Sequence, residues 1–310
     1  MRLSIGVGAA AAFAVGVVWF TGSMPGHSAR GAWTELELDE ADLARTLEEH
    51  VVALSADCAP RHTEAGQAEA AVRLRRRLQR AGWEVNESGT DLWCTRVGLG
   101  REKDEIMVLA RYDAPARSPG ADAWASSAAA AVELAAMHVD EPCERSLTFV
   151  YTTGNDGAAR AIERSRAQGR TTIAVLAIGP LGHFGGEYDA RPLALAPFVP
   201  AQADHVLFVA DWRGRDALRA AIGAFRDRAA LPSEGVALPW TMGMRALTDL
   251  DTLGATGAQA VWVSDGGAWR DRDCGGLGDV ADKLDYGRMA RAVLGLQGSL
   301  HALTLRATLP

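Results

Sequence analysis

Between residues 106 and 303 the chain alternates short, β-rich apolar runs with stretches of helical spacing. The apolar runs fall at 106–110, 147–152, 173–178, 205–210 and 260–263, each the length of a buried strand. Helical spacing covers about 126–138, 157–167, 216–228 and 285–303. A strand that returns through a helix lies parallel to its predecessor, so the helices cover both faces of the sheet. Ahead of this region, helices are expected over about 39–54 and 63–82, then short strands at 83–85 and 92–97 forming a hairpin. The expected fold class is α/β, with a mixed, mostly parallel central sheet and helices on both faces. No internal repeat or break in composition divides residues 31–310, which read as a single domain.

Residues 3–20 carry no charge and are rich in Ala, Val and Gly. As a helix, eighteen such residues reach about 27 Å, close to the bilayer core. Arg2 and the amino terminus lie on the near side, which puts the bulk of the chain outside the cytoplasm. The expectation is an uncleaved membrane anchor followed by a short linker, together filling residues 1–30, with the domain on the periplasmic or extracellular side. The alternative is a cleaved, secreted form, because small residues follow at Gly22-Ser23 and His27-Ser28-Ala29. Export permits disulfides, and Cys58 and Cys94 fall close enough in sequence to pair, whereas Cys143 and Cys274 read as free or structural.

Composition removes several classes. With 48% hydrophobic residues the chain can bury a core, so general disorder is excluded. Four cysteines in 310 residues are not a disulfide scaffold. Thirty-nine acids against 32 Lys and Arg give a net charge of −7, which opposes a nucleic-acid partner.

In a sheet of this kind, sites lie beyond the carboxyl ends of the parallel strands. One such turn is Arg111-Tyr112-Asp113, leading to Ser118-Pro119-Gly120-Ala121-Asp122-Ala123-Trp124-Ala125-Ser126. A second is Thr153-Gly154-Asn155-Asp156-Gly157, and a third Ile178-Gly179-Pro180-Leu181-Gly182. Further on come Thr248-Asp249-Leu250, Gly257-Ala258-Gln259-Ala260 and Asp279-Val280-Ala281-Asp282-Lys283-Leu284-Asp285-Tyr286. In this order, over about residues 45–304, the chain resembles the zinc-dependent aminopeptidases of the clan that also holds glutaminyl cyclase, transferrin receptor and nicastrin. The resemblance implies the zinc exopeptidase fold. It also implies a centre of two zinc ions held by five side chains, with a glutamate as general base.

The carried-over positions depart from that centre. The first histidine is Arg111, the bridging aspartate Ala123, the base glutamate Asn155 and the next ligand Asp156. The remaining aspartate and histidine fall at about Gly179 and Gly275. Asp113 and Asp122 are kept, but Asp122 matches the non-bridging acid. None of the seven histidines stands at a ligand position. Of this set only Asp156 still offers a metal ligand, and zinc takes three or four. An arginine is always charged and cannot ligate, and an amide does not titrate as a base.

The expectation is therefore a degenerate, non-catalytic relative with no metal or other cofactor, whose old cleft or rim binds a peptide or protein. Arg111 should fork to a carboxylate of Asp113, Asp122 or Asp156, and Trp124 should fill the emptied cavity. The alternative is a zinc hydrolase with a partial site rebuilt from Asp156 with His183 or Glu187, and a third reading is a purely structural envelope protein.

Other catalytic readings carry less. No Gly-x-Ser-x-Gly elbow occurs, and Ser126-Ser127 read as helix-start residues. Cys274 has no histidine placed beside it in sequence to act as its base. Nine tryptophans exceed seven phenylalanines, and Trp212, Trp240, Trp262 and Trp269 are candidates either for a cleft or for the core.

Overall fold

The computed structural model describes residues 16–30, 33–58, 60–193, 195–239 and 257–305. Two helices open the domain, α1 (Leu38–Ser55) and α2 (Glu64–Arg80). A capping box starts α1, in which the Glu37 backbone N–H donates to the Glu40 side chain at 3.0 Å. Thr63 caps α2 by accepting from the Gly66 N–H at 3.1 Å. Both helices bury the leucine positions that their spacing marks, Leu43, Leu47 and Leu54 in α1 and Leu74 and Leu78 in α2.

The sheet has eight strands: β1 (Asn86–Ser88), β2 (Asp91–Arg96), β3 (Arg101–Arg111), β4 (Arg145–Thr152), β5 (Thr171–Ile178), β6 (Val206–Asp211), β7 (Ser233–Leu238) and β8 (Gln259–Ser264). Their order is β1-β2-β4-β3-β5-β8-β6-β7. The central strands β4, β3, β5 and β8 run parallel. At one side β2 joins β4 antiparallel, and at the other β6 joins β8 antiparallel. The helices α3 (Ser127–His138), α4 (Gly157–Ala167), α5 (Arg215–Arg228) and α6 (Tyr286–Leu305) complete the fold.

Strand alternation divides the core. Ile106, Val108 and Ala110 of β3 face one apolar layer, shared with α1, α2, α3, α5 and α6. Met107 and Leu109 face a second layer, shared with α4. Four successive alanines, Ala128 to Ala131, are buried in α3, so this helix lies close under the strands.

The structure differs from the sequence reading in four places. Residues 83–85 are not a strand; the pairing segment is β1, three residues further on. Strand β7 was hidden because Ser233, Glu234 and Gly235 break its apolar run at an outer position of the sheet. Cys58 and Cys94 do not pair, since all four cysteines are free and Cys94 is buried within β2. The stretch read as a linker is fastened to the domain instead. Arg226 donates to the Pro25 carbonyl at 3.0 Å, Arg219 donates to that of Ser23, and Ser28 Oγ accepts from the Ser233 N–H at 2.9 Å.

Of the apolar run, residues 3–15 lie outside the described residues and 16–22 are helical. Among the described residues no helix is long and apolar enough to cross a membrane. Trp240 and the motif Thr248-Asp249-Leu250 also lie outside the described residues.

The contact between α5 and α6 depends on a missing side chain. A Cβ at Gly295 would overlap the Phe225 ring and stand 2.8 Å from the Ala229 Cβ. Alanine improves helix propensity by about 1 kcal/mol over glycine, but overpacking a tight core costs about 1–3 kcal/mol. Gly295→Ala is therefore expected to lower stability by about 1 kcal/mol in guanidinium unfolding. A gain in midpoint would show that the contact is looser than described.

Candidate active-site cleft

The carboxyl ends of β3, β4, β5 and β8 come together at one edge of the sheet, and the candidate residues sit there. Arg111 is the last residue of β3. Its guanidinium forks to Asp113, with Nε to Oδ1 at 3.0 Å and Nη2 to Oδ2 at 2.7 Å. Nη1 donates to Asn155 Oδ1 at 3.0 Å, which joins the ends of β3 and β4. Asp113 Oδ2 also accepts from the Gly154 N–H at 3.1 Å. The Trp124 ring lies 4.5 Å from the guanidinium carbon. Arg111 and Asp113 are each only 8% exposed, so this is a buried ion pair with further hydrogen bonds.

The loop after β3 is shaped by a residue that sequence reasoning missed. Arg61, just before α2, is 2% exposed and donates to four carbonyls. They belong to Tyr112 at 2.8 Å, Asp113 at 3.0 Å, Pro119 at 2.9 Å and Gly120 at 2.6 Å. Burial brings its pKa down to about 10, so it remains charged at neutral pH. Nothing in the spacing around Cys58-Ala59-Pro60-Arg61 marks this role, because its acceptors lie about fifty residues away.

Asp279 fixes the next turn. Its carboxylate accepts from the backbone N–H groups of Asp122 at 2.6 Å, Ala123 at 3.0 Å and Gly275 at 2.8 Å. The turn leaves Trp124 at φ +87°, a conformation costing a bulky residue about 1–3 kcal/mol. The stacked guanidinium of Arg111 and the anchored backbone beside it hold the ring there.

Two of the departed ligand positions meet across this turn. A Cβ built at Gly275 would lie 3.7 Å from the Ala123 Cβ. The third, Gly179, lies beneath Trp262: a Cβ there would stand 2.5 Å from the indole Nε1. Glycine at 179 and tryptophan at 262 therefore go together. Asp156 stands apart at the start of α4, with its side chain 75% exposed and paired to Arg160. That pairing holds its carboxyl below the usual carboxylate range.

The alternative ligands have other partners. His183 Nδ1 is 3.7 Å from Asp271, and its backbone N–H donates to Asp265 at 2.7 Å. Glu187 forms a backbone bridge with Gln202. Among the described residues no group of three or more His, Cys, Asp or Glu is placed to hold a metal ion. The residues present do not fit a two-zinc centre, because a guanidinium occupies one ligand position and Ala123, Gly179 and Gly275 bring no ligand atom.

Arg111 and Trp124 line the cleft rather than fill it. A cavity of about 380 Å³ remains, walled by Trp124, Trp262, Trp269, Pro115 and Pro180, with Arg111 as its one charged lining residue among the described residues. Trp262 and Trp269 meet edge to face at 5.7 Å. Exposed Trp212 lies away from it, against Phe20.

The sequence matches no protein-family model and no curated protein. Solved structures do match. The LapA aminopeptidase of Legionella pneumophila is 12% identical, with a TM-score of 0.65 over 90% of this chain and 78% of that one. LapB from the same organism is 14% identical, with a TM-score of 0.65 over 91% and 79%. The glutaminyl cyclase of Fimbriiglobus ruber is 18% identical, with a TM-score of 0.59 over 88% and 99%. The chain has the aminopeptidase and glutaminyl cyclase fold. At these identities the likeness is one of architecture, and the side chains of the cleft have to be judged by their own chemistry.

Below the cavity lies a buried acid cluster. Asp122 Oδ1 accepts from the Gly182 N–H at 3.0 Å, while no donor reaches Oδ2. Burial, with the charges of Asp265 and Asp279 nearby, raises the Asp122 pKa well above the usual carboxylate range. Asp122 therefore keeps its proton at a pH where a free aspartate has lost it. Burial, and then the charges of the same acids, push the half-buried Cys274 thiol up, so it stays protonated and unfit as a nucleophile.

The proton on Asp122 has a pH signature. An unfolded aspartate titrates near 3.9, so at higher pH the native state holds a proton that the unfolded state has lost. This contribution is complete below about pH 4 and falls as pH rises toward the raised native value, by about 1.4 kcal/mol per pH unit. Asp122→Asn keeps the shape of the side chain and removes the titration. The difference in unfolding free energy between wild type and variant should therefore shift steadily toward the variant from pH 5 to 7. A difference constant with pH would mean that Asp122 is ionised in the fold.

Proposed function

We propose that this protein is a non-catalytic relative of the zinc aminopeptidases that uses the old cleft to bind a peptide or protein. The observation that carries this reading is the Arg111 unit. A guanidinium, paired to Asp113 and Asn155, stands where the resemblance calls for a metal-bound histidine. A guanidinium at that position opposes a divalent cation and cannot ligate it. The base position holds Asn155, whose amide oxygen is occupied by Arg111. The tryptophan-walled cavity remains open, and its volume lies in the range of small-ligand sites.

The same proposal places the domain outside the cytoplasm, held at the membrane by residues 3–20. The charge-free run and the cation ahead of it support that placement.

Hydrolysis of chromogenic amino-acid amides tests the central point. The purified domain is expected to show no turnover with or without added zinc, cobalt or manganese. Metal-dependent turnover that disappears in Asp156→Ala would refute the non-catalytic reading and restore a metallopeptidase.

A further inference from the structure

The charge in the cleft says what kind of ligand it takes. Among the described residues Arg111 is the only charged one lining the cavity, and no carboxylate shares that lining. Its guanidinium has five N–H groups, of which Asp113 takes two and Asn155 takes one. One N–H on Nη1 and one on Nη2 have no partner among the described residues. The fork fixes the plane of the group, so these two donors are held in place before any ligand arrives. They are hydrogen-bond donors on a cation, in a cavity whose other described walls are aromatic, proline, alanine, glycine and the Cys274 thiol.

Three tryptophans around a cavity would otherwise suit an ammonium group, which binds over ring faces. Here the Arg111 guanidinium already lies on the Trp124 ring, 4.5 Å from its centre. A second cation would sit beside the first in a site of low dielectric, where like charges repel strongly. The edge-to-face pair of Trp262 and Trp269 offers apolar surface on the other side.

We infer that the cleft binds a carboxylate carried on an aromatic or aliphatic group, such as the carboxyl end of a peptide, with the carboxylate on Arg111 and the apolar part between Trp124, Trp262 and Trp269. The inference rests on the proposed binding role of the cleft and adds the sign of the ligand's charge. It is the reverse of the charge that an acidic, metal-bearing cleft selects.

Three probes of nearly equal size separate the possibilities: 3-phenylpropanoate, 3-phenylpropanamide and 2-phenylethylammonium. Each is titrated into the full-length protein in detergent, followed by tryptophan fluorescence and calorimetry. The carboxylate is expected to bind at least tenfold more tightly than the amide, with the ammonium weakest. Trp269→Ala, at a half-buried position, should weaken carboxylate and amide alike. Arg111→Lys keeps the charge but loses the fork, and should narrow the preference between those two while the protein stays folded by circular dichroism. Equal binding of all three, or preference for the ammonium, overturns the inference while leaving the cleft a binding site. Failure of all three to bind at millimolar concentration overturns the binding role itself.

Discussion

The fork between Arg111 and Asp113 is the interaction on which the cleft depends. It satisfies a carboxylate at the end of β3 and reaches Asn155 at the end of β4. It also supplies the flat cation against which Trp124 rests. Removing either charge would leave the other buried without its partner, and such a change costs about 3–5 kcal/mol. Behind the fork stand two supports drawn from elsewhere in the chain. Arg61 ties the loop after β3 through backbone carbonyls alone, and Asp279 ties the following turn through backbone N–H groups. The loop is thus held by one cation and one anion that never pair with each other.

The positions that the resemblance assigns to ligands fit their surroundings locally. Where Gly179 carries no side chain, the Trp262 indole occupies the space. Ala123 and Gly275 face each other as part of the cavity lining. Restoring one ligand at a time would therefore meet an occupied site, as at 179, or an uncompensated cation, as beside Arg111. This interlocking gives the altered cleft a stability of its own.

Much of the architecture was legible in the sequence because it is set by periodicity. The runs at 106–110 and 173–178 are apolar throughout and that at 147–152 is broken only by threonines and a tyrosine, as suits strands buried on both faces, and all lie in parallel strands. Strand β7 was not legible, because a strand at the outer position can carry Glu234 and Gly235 without exposing a core. In the cleft, a fork from Arg111 to a carboxylate was legible, with Asp113, Asp122 and Asp156 as its candidates, and the structure selects Asp113. Arg61, Asp265 and the Trp262–Trp269 pair could not, since their partners are brought in by the order of strands in the sheet. The expectation that Trp124 would fill the cleft failed for a related reason: its positive φ sets the ring against Arg111 as a wall.

The proposed reading is that a guanidinium unit stands where a zinc aminopeptidase would hold its metal. Its most direct test is anomalous diffraction at the zinc edge from crystals grown in millimolar zinc. The account predicts no anomalous peak between Arg111, Asp113, Ala123 and Asp156, with the Arg111 fork intact. A strong peak there, with Arg111 swung out of the cleft and Asp156 turned in, would contradict it.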